Sequence, residues 1–416
     1  MVTSPVFGLS LPQPSPFQGV NIITDCSDGL TTARIDRRLG EVAEGVQNKR
    51  KALSDAFPDL SFLEVKQEGG SRELHTRTVP DILPGSVACA GRALMELAGT
   101  PNRDVFVHVT DPGVGGRRIH DRAILVTENN GVHIGPNNGL FSALYQDLVR
   151  QGQKPELLTI DLDKVQRFEQ VRTDDPDYRT ADTFHGKSVF GVIGGALAGG
   201  VDPHFFADQR PEARQKVVDS PFFRELGDLN VDKLLSGEAL PVRGIEDRTM
   251  GNVQLNVHLP REAADRLRSV DEQPGAFPVL QIRNPADPEK SLTLPLRRFF
   301  GQVGVGEPLI YAGSTLASMP GNRFNGGLLE VAVNGDHAAR KLGFPEPDTR
   351  VLETAKSIKR EQKAGDDVPD GSVPLEIRLT DAGDPTVWLG RQDREDTGLH
   401  KAEKQQQPGT HLSHLA

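Results

Sequence analysis

Four short polar clusters in this chain each follow a run of apolar or β-branched residues. GVNIITD (19–25) ends on Asp25, and DVFVHVT (104–110) stops at Asp111. The stretch HVTDPGVGGRRIHDR (108–122) then carries Arg117 and Arg118. GVHIGPNNGL (131–140) turns through Asn137 and Asn138, and TFHGK (183–187) brings His185. The residue types suit work on a small polar ligand. An ionised carboxylate accepts from two hydroxyls at once, an amide donates and accepts together, and histidine moves a proton near neutral pH. A Pro-Gly turn that returns arginine to an aspartate makes an anchored charge pair around something small. Each cluster also has an ordinary reading. Asp25 is a good helix N-cap, Asn-Asn-Gly is common turn chemistry, and His185 beside a glycine can be a satisfied loop histidine.

Other chemistries lack their patterns. There is no Walker A loop, no G-x-G-x-x-G between a strand and a helix, no histidine pair at zinc spacing and no G-x-S-x-G elbow. His120 and His133 are scattered, and His108 alternates with apolar neighbours and reads as a core or sheet-face histidine. No metal and no cofactor is expected.

The elements that must position these clusters are strands alternating with helices. SVACAGRALMELAG (86–99) has helical spacing of small and apolar residues. RAILVTE (122–128) and LLTIDL (157–162) read as strands, Asn129-Asn130-Gly131 as a hairpin, and ADTFHGKSVFGVIGGALAGGV (181–201) as a turn and then a helix with a small-residue packing face. This predicts an α/β domain over 19–234 with a largely parallel sheet. In such open sheets ligands bind at the carboxyl ends of strands, where the four clusters would converge. From 235 to 351 short strands separated by turn signals (GNVQLNVHL, FPVLQIR, LTLPLRRFF, PLIYAG, GLLEVAVN) predict an antiparallel, barrel-like domain. Residues 1–18 read as a flexible lead-in and 42–78 as a surface insertion around SFLEVKQ. Residues 352–416 read as a polar, weakly ordered extension with one strand-like piece, PLEIRLT.

Composition narrows the partners. With 48 Lys plus Arg against 58 Asp plus Glu, the net charge of −10 argues against a sequence-independent nucleic-acid binder. Two cysteines, Cys26 and Cys89, make no disulfide framework. The first residues lack a signal-peptide pattern and no apolar run is long enough to span a bilayer, so a cytoplasmic protein acting on a small molecule is expected.

Taken in order, the clusters resemble the S-adenosylmethionine hydroxide adenosyltransferase family, relatives of enzymes that halogenate S-adenosylmethionine. The resemblance rests on Thr24-Asp25, DPGVGxxR (111–118), GPNNGL (135–140), TFHG (183–186), D-x-x-x-G-N-x-x-x-N (247–256), Gly313-Ser314 and LEVAVN (329–334), and covers about 19–345. It implies hydrolysis of S-adenosylmethionine to adenosine and methionine, without a cofactor, in a homotrimer with active sites between subunits. It implies an Asp111, Arg118 and His185 set around the attacking water, with Arg117 the alternative if the turn shifts by one residue. Asp25 would accept the ribose hydroxyls and Asn138 belongs to the substrate-binding set. Asp247 would pair with the methionine ammonium, Asn252 would read the adenine edge, and Ser314 would bind the methionine carboxylate. The chain departs from the family at Cys26-Ser27, Lys187-Ser188, Met250, Gln254 and the added stretch TLASMPGNRFNGG. Halide attack in the same fold, and an adenosine-nucleoside binder without turnover, are the competing readings. Retention of both the Asp and the Arg of the turn speaks against halide attack.

Overall fold

The computed structural model describes residues 7–9, 16–17, 19–25, 29–63, 74–79, 82, 86–98, 102–110, 122–180, 185–210, 213, 216–246, 251–269, 278–297, 303, 306–313, 327–334, 336–344 and 370–380. Its first sheet contains β1 (Phe7–Leu9), β2 (Gly19–Thr24), β3 (Leu74–Val79), β4 (Asn102–Val109), β5 (Arg122–Val126), β6 (Asn130–Pro136) and β7 (Glu156–Thr159), in the order β1-β3-β2-β4-β6-β5-β7. The central strands β3, β2, β4 and β6 are parallel. β1 and β5 run antiparallel to this centre, and β7, antiparallel to β5, runs again in the central direction. The Asn-Asn-Gly signal is borne out as the β5–β6 hairpin, with Val126 opposite Val132.

Period-two alternation sorts the side chains of β4 onto two buried faces. Val105, Val107 and Val109 join one core with α1 (Gly29–Asn48), α2 (Arg50–Ala56), and two further helices, the 162–173 and 191–198 segments. Phe106 faces the other core, packed with α3 (Val87–Ala98) and α4 (Ser142–Arg150). Helices on both faces of a sheet whose centre is parallel make this the expected α/β layer.

The reading of 42–78 as a surface insertion is overturned. Ile35, Leu39, Val42, Ala43 and Val46 are all buried, while Arg37, Glu41 and Glu44 are exposed. That is a helical stripe continuing through Asn48. Leu53 and Phe57 extend the same core, and β3 is a sheet strand beside β2. Of SFLEVKQ, Phe62 bridges Val201, and residues 64–67 lie outside the described residues.

The second sheet contains β8 (Gly227–Asp228), β9 (Leu240–Glu246), β10 (Val253–His258), β11 (Val279–Asn284), β12 (Asp287–Pro295), β13 (Pro308–Ala312), β14 (Leu328–Val333) and β15 (Val373–Leu379). Seven run in the order β12-β11-β15-β9-β10-β14-β13, each pair antiparallel, and β8 joins β10 in parallel. The two ends approach each other: Leu296 bridges Ile310, and the Arg297 N–H donates to the Ile310 carbonyl at 2.8 Å. The sheet is therefore antiparallel and nearly closed into a barrel. Its core also takes in Leu229, Val231 and Leu234, just before the expected boundary at 235.

The extension after 352 needs a correction as well. PLEIRLT lies in β15, which sits inside the barrel between β9 and β11. Leu375 and Ile377 are buried there, so residues 373–379 are core rather than weakly ordered tail. Asp370 anchors the entry to this strand. Its buried carboxylate accepts from the Ser220 hydroxyl at 2.5 Å, the Phe222 N–H at 2.9 Å and the Ser372 N–H at 2.9 Å. Its carbonyl accepts from the Ala88 N–H at 2.8 Å, which ties α3 to the barrel. Ile245 and Leu328 of the barrel complete the core around α3 and α4.

Candidate active site

Strand register brings the polar clusters to one edge. Thr24 is paired with Val109, and Val107 with Ile134, so β2, β4 and β6 end side by side. Half-buried Asp25 follows the first, buried Thr110 the second, and Asn137-Asn138 the third. β5 runs the other way, and its first residue, Arg122, pairs with Pro136 at this same carboxyl edge. The chain thus leaves the edge at Thr110 and returns to it at Arg122.

The turn after β6 has a clear division of labour. Asn137 is structural: its amide donates to the Lys216 carbonyl at 2.8 Å and accepts from the Val218 N–H at 3.0 Å. Asn138 instead donates to the Thr110 carbonyl at 2.9 Å, joining the ends of β6 and β4. Two glycines make this turn possible. Gly139 holds φ at +103°, where a side chain is strained. A Cβ on Gly135 would come within 2.8 Å of the His108 Cβ, so β6 can approach β4 only without one.

Two buried oxygens at this edge, Thr110 Oγ1 and Asn138 Oδ1, have no hydrogen-bond partner among the described residues. Buried polar atoms are normally paired, and unpaired ones beside a strand end point to a water or ligand that completes them.

His185 reaches the edge from the opposite direction. It stands at the head of a single π-helical turn, Gly186–Phe190, in which the Gly191 N–H donates to the Gly186 carbonyl. Such turns concentrate at functional positions. The imidazole is 6% exposed and the Arg122 side chain is buried beside it. Arg122 Nη2 lies 3.0 Å from Nδ1 and 2.9 Å from Nε2 of His185.

Of the residues singled out from the sequence, Asp25, Asn138 and His185 are thus brought to one edge. Asn252 sits at the head of β10, buried, in the other sheet. Asp111, Arg117, Arg118, Asp247 and Ser314 lie outside the described residues, as do Cys26 and Ser27. His108 is the core histidine that its alternation suggested. It is fully buried between Phe106, His133 and Phe141, and burial first, then His133, pushes its pKa well below 6.5.

Sequence reasoning missed Arg122 and Thr110. The signal for Arg122 was present, because the Asn-Asn-Gly hairpin between RAILV and the strand that ends at GPNNGL sets the start of RAILV beside that strand's end. A third omission is Glu330, a buried carboxylate in β14 that accepts from the Tyr311 hydroxyl at 2.7 Å and from Gln254 at 3.3 Å. It crowds Gly313, where a Cβ would meet its Oε1. Among the described residues, no group of three or more His, Cys, Asp or Glu converges on a metal-sized space.

Part of the chain is similar to proteins of known family. Residues 78–207, which include β4, the edge turn and His185, match the family model described as the SAM hydroxide adenosyltransferase N-terminal domain. The resemblance carried by the motifs is borne out over that segment. Two curated relatives are named (R)-S-adenosyl-L-methionine hydrolase. The one from Salinispora arenicola is 33% identical over 126 residues, which span 30% of this chain and 40% of that protein. The one from Thermus thermophilus is 27% identical over 272 residues, 63% of this chain and 81% of that protein. A solved structure of an uncharacterized conserved protein from Thermotoga maritima superposes with a TM-score of 0.47 at 18% identity, covering 86% of this chain and 99% of that one.

Proposed function

We propose that this protein hydrolyses S-adenosyl-L-methionine to adenosine and L-methionine, by in-line attack of a water oxygen on the ribose C5′. The observation that carries this reading is the convergence of Asp25, Asn138 and His185 on one strand edge, the latter two within the segment 78–207 that matches the family model. The chemistry suits such a site. The C5′–S bond of a sulfonium breaks to give neutral methionine thioether, so the leaving group needs no general acid. What the protein must supply is a water held in line and a place for its proton.

In this scheme His185 accepts the water proton. Asp111 orients Arg118, whose charge favours the developing hydroxide, with Arg117 as the alternative. Asp25 accepts from the ribose hydroxyls, and the free oxygens of Asn138 and Thr110 hold the water or the sugar. Asp247, Asn252 and Ser314 serve the methionine ammonium, the adenine edge and the methionine carboxylate. No cofactor enters the scheme. The buried polar residues of the barrel would meet the substrate in a homotrimer with sites between subunits, in the cytoplasm.

The test is adenosine release from S-adenosylmethionine by wild type, His185→Ala and Arg118→Ala. Turnover by wild type and a loss of about 10²- to 10⁴-fold in either variant is the expected result. A wild type that binds the nucleoside and releases nothing, or variants that match wild type, would sink the proposal.

A further inference from the structure

We infer that Arg122 is a positioning residue for His185, holding its imidazole unprotonated and in one orientation towards the strand edge. The reaction it serves rests on the hydrolase reading; the positioning rests on geometry. The backbone of Arg122 is fixed on two sides. Its Cα partner is Pro136 of β6, and its carbonyl accepts from the Ile160 N–H at 3.1 Å. Its side chain is buried, so the guanidinium has little freedom to swing to solvent. The terminal nitrogen Nη2 is within 3.0 Å of both ring nitrogens of His185.

Guanidinium groups only donate, and they stay charged. A fixed positive charge within 3.0 Å of both ring nitrogens opposes a second charge on the ring, so the neutral imidazole is favoured over the imidazolium. The contact selects the form of His185 that can take a proton from water. It also opposes rotation of the ring about its Cβ–Cγ bond. The π-helical turn at Gly186–Phe190 fixes the backbone behind the ring, so strand and helix act on one side chain. Arg122 works through His185, and it is a different group from the arginines of the 111–118 turn.

Arg122→Gln, Arg122→Lys, His185→Ala and the Gln/Ala double variant test this, with kcat and KM for adenosine release. Arg122→Gln is expected to lower kcat about 10- to 100-fold with KM within about twofold. Arg122→Lys, which keeps a cationic donor, is expected to recover part of that loss. In the His185→Ala background, Arg122→Gln is expected to do nothing more. Losses that multiply in the double variant would overturn the inference, as would a raised KM with kcat intact. Should the Gln variant fail to fold, the Lys variant carries the kinetic comparison. The ¹⁵N ring signals of His185 give an independent readout. An unprotonated ring in wild type, protonated more readily on Arg122→Gln and less so on Arg122→Lys, supports positioning; identical signals overturn it. A wild type without turnover refutes the hydrolase reading and leaves the ring measurement to decide this one.

Discussion

His108, in β4, and His185, at the head of the π-helical turn, serve opposite purposes. Among the described residues, His185 faces the edge where two oxygens lack partners, whereas His108 is sealed between Phe106, Phe141 and His133 with both ring nitrogens unpaired. Burial, and secondarily His133, hold His108 neutral well below 6.5. The unfolded chain takes up a proton there below about 6.5 that the folded chain refuses. The stability tied to His108 is therefore fully present above 6.5 and is lost as pH falls below it, by at most about 1.4 kcal/mol per pH unit. Denaturant titrations of wild type and His108→Leu between pH 7.5 and about 5 should show the variant with the flatter dependence. Equal slopes would remove His108 as the cause. Its alternation with valines made this histidine legible as core. Arg122 was not legible in the same way, because as the first residue of a strand it reads as solvent-facing until the hairpin folds it back.

At the scale of elements, local periodicity was a good guide and distant pairing was not. The strand-helix alternation of the first 200 residues gave the parallel centre and the convergence of Asp25, Asn138 and His185. α1 was also written in the sequence, but its charged face at Arg37, Glu41 and Glu44 disguised the buried stripe behind it. β15 could not be placed from its own residues. Its alternation announces a strand, but its partners β9 and β11 lie about a hundred residues away. Asp370 is the joint that fixes this strand against α3 and the 220–222 segment. Asp370→Ala should cost about 2–4 kcal/mol, because the Ser220 hydroxyl and the Phe222 and Ser372 N–H groups lose a charged acceptor. Chemical denaturation would read it. A cost under about 0.5 kcal/mol, typical of a surface change, would contradict the anchoring role.

Over the whole molecule, the polar rows of the barrel and the strand edge of the α/β layer are built from segments far apart in the chain. The edge of the α/β layer carries Asp25, Thr110, Arg122, Asn138 and His185, and the barrel separately buries Asn252, Gln254 and Glu330. The Ser220 and Ala88 contacts of Asp370 make the two sheets share a core, so neither is a detachable module. In the proposed reaction the bond that forms joins a water oxygen to C5′, and the bond that breaks frees the thioether of methionine. Turnover of S-adenosylmethionine in ¹⁸O-labelled water, with mass analysis of both products, tests this most directly. The account requires equimolar adenosine and methionine, with one ¹⁸O at the 5′-hydroxyl of adenosine and none in methionine. A 5′-chloro product when chloride is added, adenosine without the label, or no turnover at all would contradict it.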